Sequence, residues 1–140
     1  MNASALALLV YAAWTLLLVA GIAALRTGLV WRGLRRANSF AVSGDDVSPF
    51  SGRLCRAHAN CVENLPVFVG LLAAAQWSQQ GAVTDALALP LVAARLGQSC
   101  THLVSTRNRA VILRFAFLAI QIAIQAWWVV ALWPGLLRAA

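Results

Sequence analysis

"RAHANCVENLPVFVGLLAAA", Arg56 to Ala75, puts an arginine, a histidine, two asparagines and the chain's sole glutamate at the mouth of an apolar helix. Arg56, Asn60 and Glu63 are spaced i, i+4, i+7, so on a helix they share one face, with Asn64 beside them. A second stripe lies in "ARLGQSCTH", where Arg95, Gln98, Ser99 and His102 follow i, i+3, i+4, i+7. A lone charge near the centre of a bilayer costs at least roughly 2.5 kcal/mol, so such residues are normally paired or functional. Glu63 and Arg95 each lie about 15 Å from the arginine-rich end of their helix, at 1.5 Å per residue. Antiparallel packing would then pair Glu63 with Arg95, Asn60 with Gln98 and Arg56 with His102. His58 points roughly 160° away from that face and is expected against the first helix or toward a neighbouring subunit.

The rest of the chain has the same character. Its 140 residues suit one compact unit. Apolar residues make up 61% and charged residues only 11%, against about 25% charged in soluble domains. There is too little polar surface to cover a water-facing globule, so the chain reads as a membrane protein. The net charge of +7 does not imply nucleic acid. All eleven basic residues are arginines, they lie mostly between apolar segments, and no basic helix interleaves with aromatics. Cys55, Cys61 and Cys100 have neither CxxC nor other metal spacing and read as small buried hydrophobes, so no metal site is expected.

Four membrane spans emerge, at about 3–33, 53–80, 84–105 and 110–133, giving an all-α four-helix bundle. Ala3 to Leu25 carries no charge and exceeds the roughly 20 residues needed to cross a bilayer. It lacks the charged n-region of a signal peptide, so it is read as an uncleaved span. "NSFAVSGDDVSPFSG", 38–52, has the composition of a loop, "STRNR" breaks the chain after the third span, and Pro134-Gly135 is expected to stop the fourth. Pro66 should kink the second helix and free a carbonyl beside Glu63. Arg26, Arg32, Arg35, Arg36, Arg53, Arg56, Arg107, Arg109 and Arg114 fall in or beside the first and third connections, and Arg138 alone in the tail. By the positive-inside rule those connections face the cytoplasm and both termini face out. Trp31, Trp77 and Trp133 fall near helix ends, as an aromatic belt requires. The absence of lysine suggests a GC-rich bacterial genome, so the expected location is a bacterial inner membrane.

With these segments placed, the chain resembles the MAPEG family, membrane-associated proteins in eicosanoid and glutathione metabolism. The family's second helix carries R-A-x-x-N-x-x-E, matched at Arg56, Ala57, Asn60 and Glu63, with Pro66 following. "ARLGQSCTH" resembles its third-helix segment, "LRFAF" (113–117) the start of its fourth helix, and "RRA" (35–37) a basic pair ending its first. The resemblance implies a trimer of four-helix subunits that binds glutathione between subunits from the cytosolic side. It implies a ligand set of Arg56, Asn60 and Glu63, with Asn64, Arg95, Gln98, His102, Arg35 and His58 around it. Bidentate arginine suits glutathione's two carboxylates, and Glu63 suits its ammonium. By the same resemblance an arginine near the start of the fourth helix faces the thiol: Arg114 first, Arg109 second. A cation there raises the fraction of nucleophilic thiolate. Arg36 is a third candidate, reaching substrate from a neighbouring subunit. The eicosanoid enzymes of the family carry tyrosines where this chain has Asn64, Gln98 and His102.

The function these features imply is a glutathione-dependent transferase or peroxidase acting on lipophilic electrophiles that enter from the membrane lipids. The alternative is a non-catalytic lipid-binding or scaffold subunit using the same pocket. A transporter or proton relay ranks behind both, because no Gly-broken helices recur in two matching halves.

Overall fold

A computed structural model describes residues 2–139, and its secondary structure is four helices. These are α1 (Ala3–Trp31), α2 (Pro49–Trp77), α3 (Gly81–Val104) and α4 (Asn108–Ala139). α1 and α4 are long and apolar enough to cross a membrane. The expected all-α membrane bundle is the fold observed.

Helix ends follow local chemistry. Asn2 caps α1 by accepting the Ala5 N–H at 2.9 Å. α2 begins at Pro49 rather than near Arg53, because Ser48 accepts the Ser51 N–H at 3.1 Å and Pro49 supplies a preset first turn. Just past the end of α2, Gln79 adopts φ 56°, a left-handed turn that reverses the chain directly into α3. Pro134 does not stop the last helix. α4 runs through it to Ala139, since membrane helices tolerate proline where neighbouring groups satisfy the freed carbonyl. Pro66 and Pro90 likewise lie inside continuous helices.

α2 and α3 form a central pair with α1 on one side and α4 on the other. Tyr11, Phe68 and Trp128 make an aromatic column through the middle, with ring centroids 5.3 and 6.1 Å apart, and all three are buried. Small residues let the helices close around it: Ala57, Cys61 and Ala75 on α2, Ala88 and Ala94 on α3. Gly97 leaves room for a ring of α4, since a Cβ there would stand 2.7 Å from Phe117 Cζ. Cys55 and Cys61 are buried as expected, whereas Cys100 is exposed on the outer side of α3. Trp31 and Trp77 are exposed at the ends of α1 and α2, and Trp133 is exposed within the last two turns of α4.

The connection between α1 and α2 is pinned by arginine. Arg26 and Arg35 both lie over the Phe40 ring, at 5.4 and 5.8 Å. Arg26 donates to the Ala41 carbonyl, and Arg35 pairs with Asp46 at 3.2 Å and donates to its carbonyl as well. Gly44 turns this loop back onto α2 at φ 71°, with no room for a side chain between Cys55 Sγ and Ser51 Oγ.

A polar seam joining three helices

The antiparallel register expected for α2 and α3 is close to that observed. Arg53 Nε donates to the Leu103 carbonyl at 2.9 Å, and Cys61 Sγ lies 3.4 Å from Ser99 Oγ. The rotation of α2 differs. Its packed face is Leu54, Ala57, Cys61, Phe68 and Leu72, and Glu63 lies roughly 200° around the helix from Cys61. Glu63 and Arg56 are therefore exposed on the outer face of α2, with Asn60 and Asn64 on the flank.

The three expected pairs are corrected accordingly. Among the described residues Glu63 forms no ion pair with Arg95; the two pairs present are Arg35–Asp46 and Arg56–Asp45. Asn60 meets His102 rather than Gln98, with Nδ2 3.4 Å from Nε2, and bonds back to the Arg56 carbonyl at 2.9 Å. Arg56 reaches Asp45 at 3.4 Å, not His102.

What α3 contributes is a buried donor–acceptor chain. Arg95 is 1% exposed. Its Nη1 donates to the Asn60 carbonyl at 3.1 Å and to Gln98 Oε1 at 2.9 Å, and its guanidinium lies 5.8 Å over the Tyr11 ring. Among the described residues Nε and Nη2 have no hydrogen-bond partner. Gln98 Oε1 also accepts from Gln121 Nε2 at 3.1 Å, and Gln121 Oε1 accepts from Asn64 Nδ2 at 3.4 Å. Gln121 is fully buried on α4 and belongs to the site, yet the family motifs do not include it. Its signal in the sequence is "QIAIQ", two amides at i, i+4 in an otherwise apolar helix. Near the arginine-rich end, Arg114 Nη1 lies 2.8 Å from His102 Nδ1.

One seam thus gathers Asn60 and Asn64 from α2, Arg95, Gln98 and His102 from α3, and Arg114 and Gln121 from α4. Arg56 and Glu63 stand exposed on the adjoining face of α2. The remaining candidates lie elsewhere. His58 lines a cavity of about 260 Å³ against α1, with Val19, Ile22 and Arg26. Arg109 borders a groove beside the exposed Cys100 and Thr101. Arg35 is engaged in the first connection, and Arg36 is exposed there.

The seam can hold an anionic, zwitterionic ligand. Among the described residues Arg56 has only a long, exposed contact to Asp45, Glu63 has no counter-charge, and Arg114 presents a guanidinium anchored at one nitrogen. Searches of curated proteins and of solved structures return no match. The sequence profile of the MAPEG family matches residues 4–133, nearly the whole chain. A four-helix membrane bundle with the second-helix signature on its α2 face, matched along that length, makes this chain a member of the MAPEG family, whose chemistry is in general that of glutathione-related membrane transferases and peroxidases.

Proposed function

We propose that this protein is an integral membrane glutathione transferase with peroxidase capacity, acting on lipophilic electrophiles that reach it through the bilayer. The observation that carries the reading is the unspent charge on one side of the bundle. Arg56 and Glu63 are exposed on α2, and Arg114 leans into the same seam on a 2.8 Å contact to His102. A structural ion pair would have used Glu63; here it is free for the ammonium of glutathione. Arg56 takes a carboxylate, and its weak pairing with Asp45 is a placeholder that a better-aligned bidentate partner displaces. Arg114 stabilises the thiolate electrostatically. The sulfur lone pair then forms the new C–S bond while the leaving group departs with its electrons.

The assembly belongs to the same proposal. The exposed α2 face is completed by a second copy in a homotrimer, with Arg36 or Arg35 of a neighbour closing the pocket. The arginine-bearing connections face the cytoplasm, and both termini lie outside. Gln98, 3% exposed and engaged by Arg95 and Gln121, does not contact the ligand, and His102 is held by Arg114. Those engagements favour the second reading, a lipid-binding or scaffold subunit with a vestigial pocket.

Purified protein in detergent or nanodiscs separates the two. Under the enzyme reading, glutathione titration raises the ultraviolet thiolate band, and a chlorinated nitrobenzene or a lipid hydroperoxide is turned over. Arg56→Ala and Glu63→Ala raise KM, and Arg114→Leu lowers kcat. No thiolate and no turnover in the wild-type protein leaves the scaffold reading.

A further inference from the structure

We propose that His102 is a positioning residue: its neutral imidazole accepts a hydrogen bond from Arg114 and thereby aims the guanidinium at the thiol of glutathione. The inference rests on the transferase reading above and assigns a role to the histidine that stands where relatives have a tyrosine. A guanidinium has donors only, so at 2.8 Å from Arg114 Nη1 the ring nitrogen Nδ1 must be the acceptor. A neutral ring has one N–H, which then sits on Nε2. The Asn60 amide nitrogen is 3.4 Å from Nε2, the longer of the two ring contacts, and already donates to the Arg56 carbonyl at 2.9 Å, so the Arg114 contact decides the tautomer.

The arrangement suits a charge that must be held in place. Arg114 lies at the end of the second turn of α4 and would otherwise swing freely, since no carboxylate in the described residues pairs with it. Aspartate or glutamate at position 102 would neutralise the guanidinium and weaken its pull on a thiolate. A neutral acceptor orients it and leaves its charge intact. The charged groups facing His102 are Arg114 from α4, Arg56 from α2 and Arg95 from its own helix, and all are cations.

The geometry also makes the device sensitive to acid. Protonating His102 turns Nδ1 into a donor, removes the acceptor and sets two cations against each other, so Arg114 leaves. Thiolate formation is therefore supported while His102 is neutral and is lost as falling pH protonates it.

Two measurements test this, one without ligand. In a His58→Gln background, ¹⁵N-histidine spectra report His102 alone. They should show an unprotonated Nδ1 and a protonated Nε2, and Arg114→Leu should shift the Nδ1 signal. A protonated Nδ1, or no response to Arg114→Leu, overturns the assignment whatever glutathione does. With glutathione and a chlorinated nitrobenzene, His102→Leu should lower kcat roughly ten- to a hundredfold with KM changed little. His102→Gln, which keeps an acceptor, should recover part of the loss. If His102→Leu matches wild type while Arg114→Leu is impaired, the positioning role fails and the transferase reading stands. If the wild-type protein forms no thiolate, both fail.

Discussion

Replacing Arg95 with methionine tests how a buried cation is tolerated in this bundle. The guanidinium is 1% exposed and makes two hydrogen bonds through Nη1, to Asn60 O and Gln98 Oε1. Losing two charge-assisted bonds costs about 1.5 kcal/mol each, and losing the contact over Tyr11 costs about 1 kcal/mol. Against this, methionine removes two buried nitrogens that have no partner, Nε and Nη2, a relief of about 1 kcal/mol each. Gln98 Oε1 keeps its bond from Gln121, so the substitution strands no acceptor there. The expected loss is about 2 kcal/mol, smaller than the roughly 3–5 kcal/mol of breaking a buried ion pair. Reversible unfolding in mixed micelles with rising dodecyl sulfate, followed by tryptophan fluorescence, would measure it. The sharper form is a double-mutant cycle with Glu63→Gln. The two side chains share no ion pair, so their coupling should stay below about 0.5 kcal/mol. A coupling of about 2 kcal/mol or more would mean that Glu63 does face Arg95, and the rotation of α2 described above would be wrong.

Three further outcomes follow from particular contacts. Gly97→Ala places a methyl group 2.7 Å from Phe117 Cζ, so the same unfolding assay should show a loss of about 1–3 kcal/mol unless Phe117 is also reduced to leucine. Tyr11→Phe removes the 3.0 Å bond to the Cys61 carbonyl but keeps the aromatic column, and should cost about 1 kcal/mol. Asp45→Asn releases Arg56 from an exposed 3.4 Å pair. It should change stability by less than about 1 kcal/mol while lowering the KM for glutathione, as initial rates would show.

Segment number, chain direction and approximate register could all be read from composition and spacing. Gly81 and the polar turn before it, the charge-free stretch Ala3–Leu25 and the arginine clusters each mark a boundary that a bilayer imposes. The orientation of α2 about its own axis could not. In water the polar stripe Arg56–Asn60–Glu63 would identify the outside, but in a membrane both faces are apolar and polarity does not say which is buried. The packed face is marked instead by small residues, Ala57 and Cys61, which let backbones approach. Reading polarity as the sign of an interior put Glu63 opposite Arg95. Of the polar seam, Asn60, Asn64, Arg95, Gln98 and His102 could be singled out from spacing, and Arg114 from the family resemblance. Gln121 could not, because its role appears only when α4 lies against α3 and its amide bridges Gln98 to Asn64. The helix ends missed at Pro49 and Pro134 reflect a side-chain cap and a tolerated membrane proline, both set by neighbours rather than by composition.

The left-handed Gln79 turn has a consequence for biogenesis. α1 and α4 are long and apolar enough to cross a membrane, whereas α2 and α3 carry the polar residues of the seam along their lengths. Joined by so short a connection, they can leave the translocon as one hairpin, with Arg95 already donating to the Asn60 carbonyl across the cleft. The bond that holds the two helices in register would first serve as a passport into lipid.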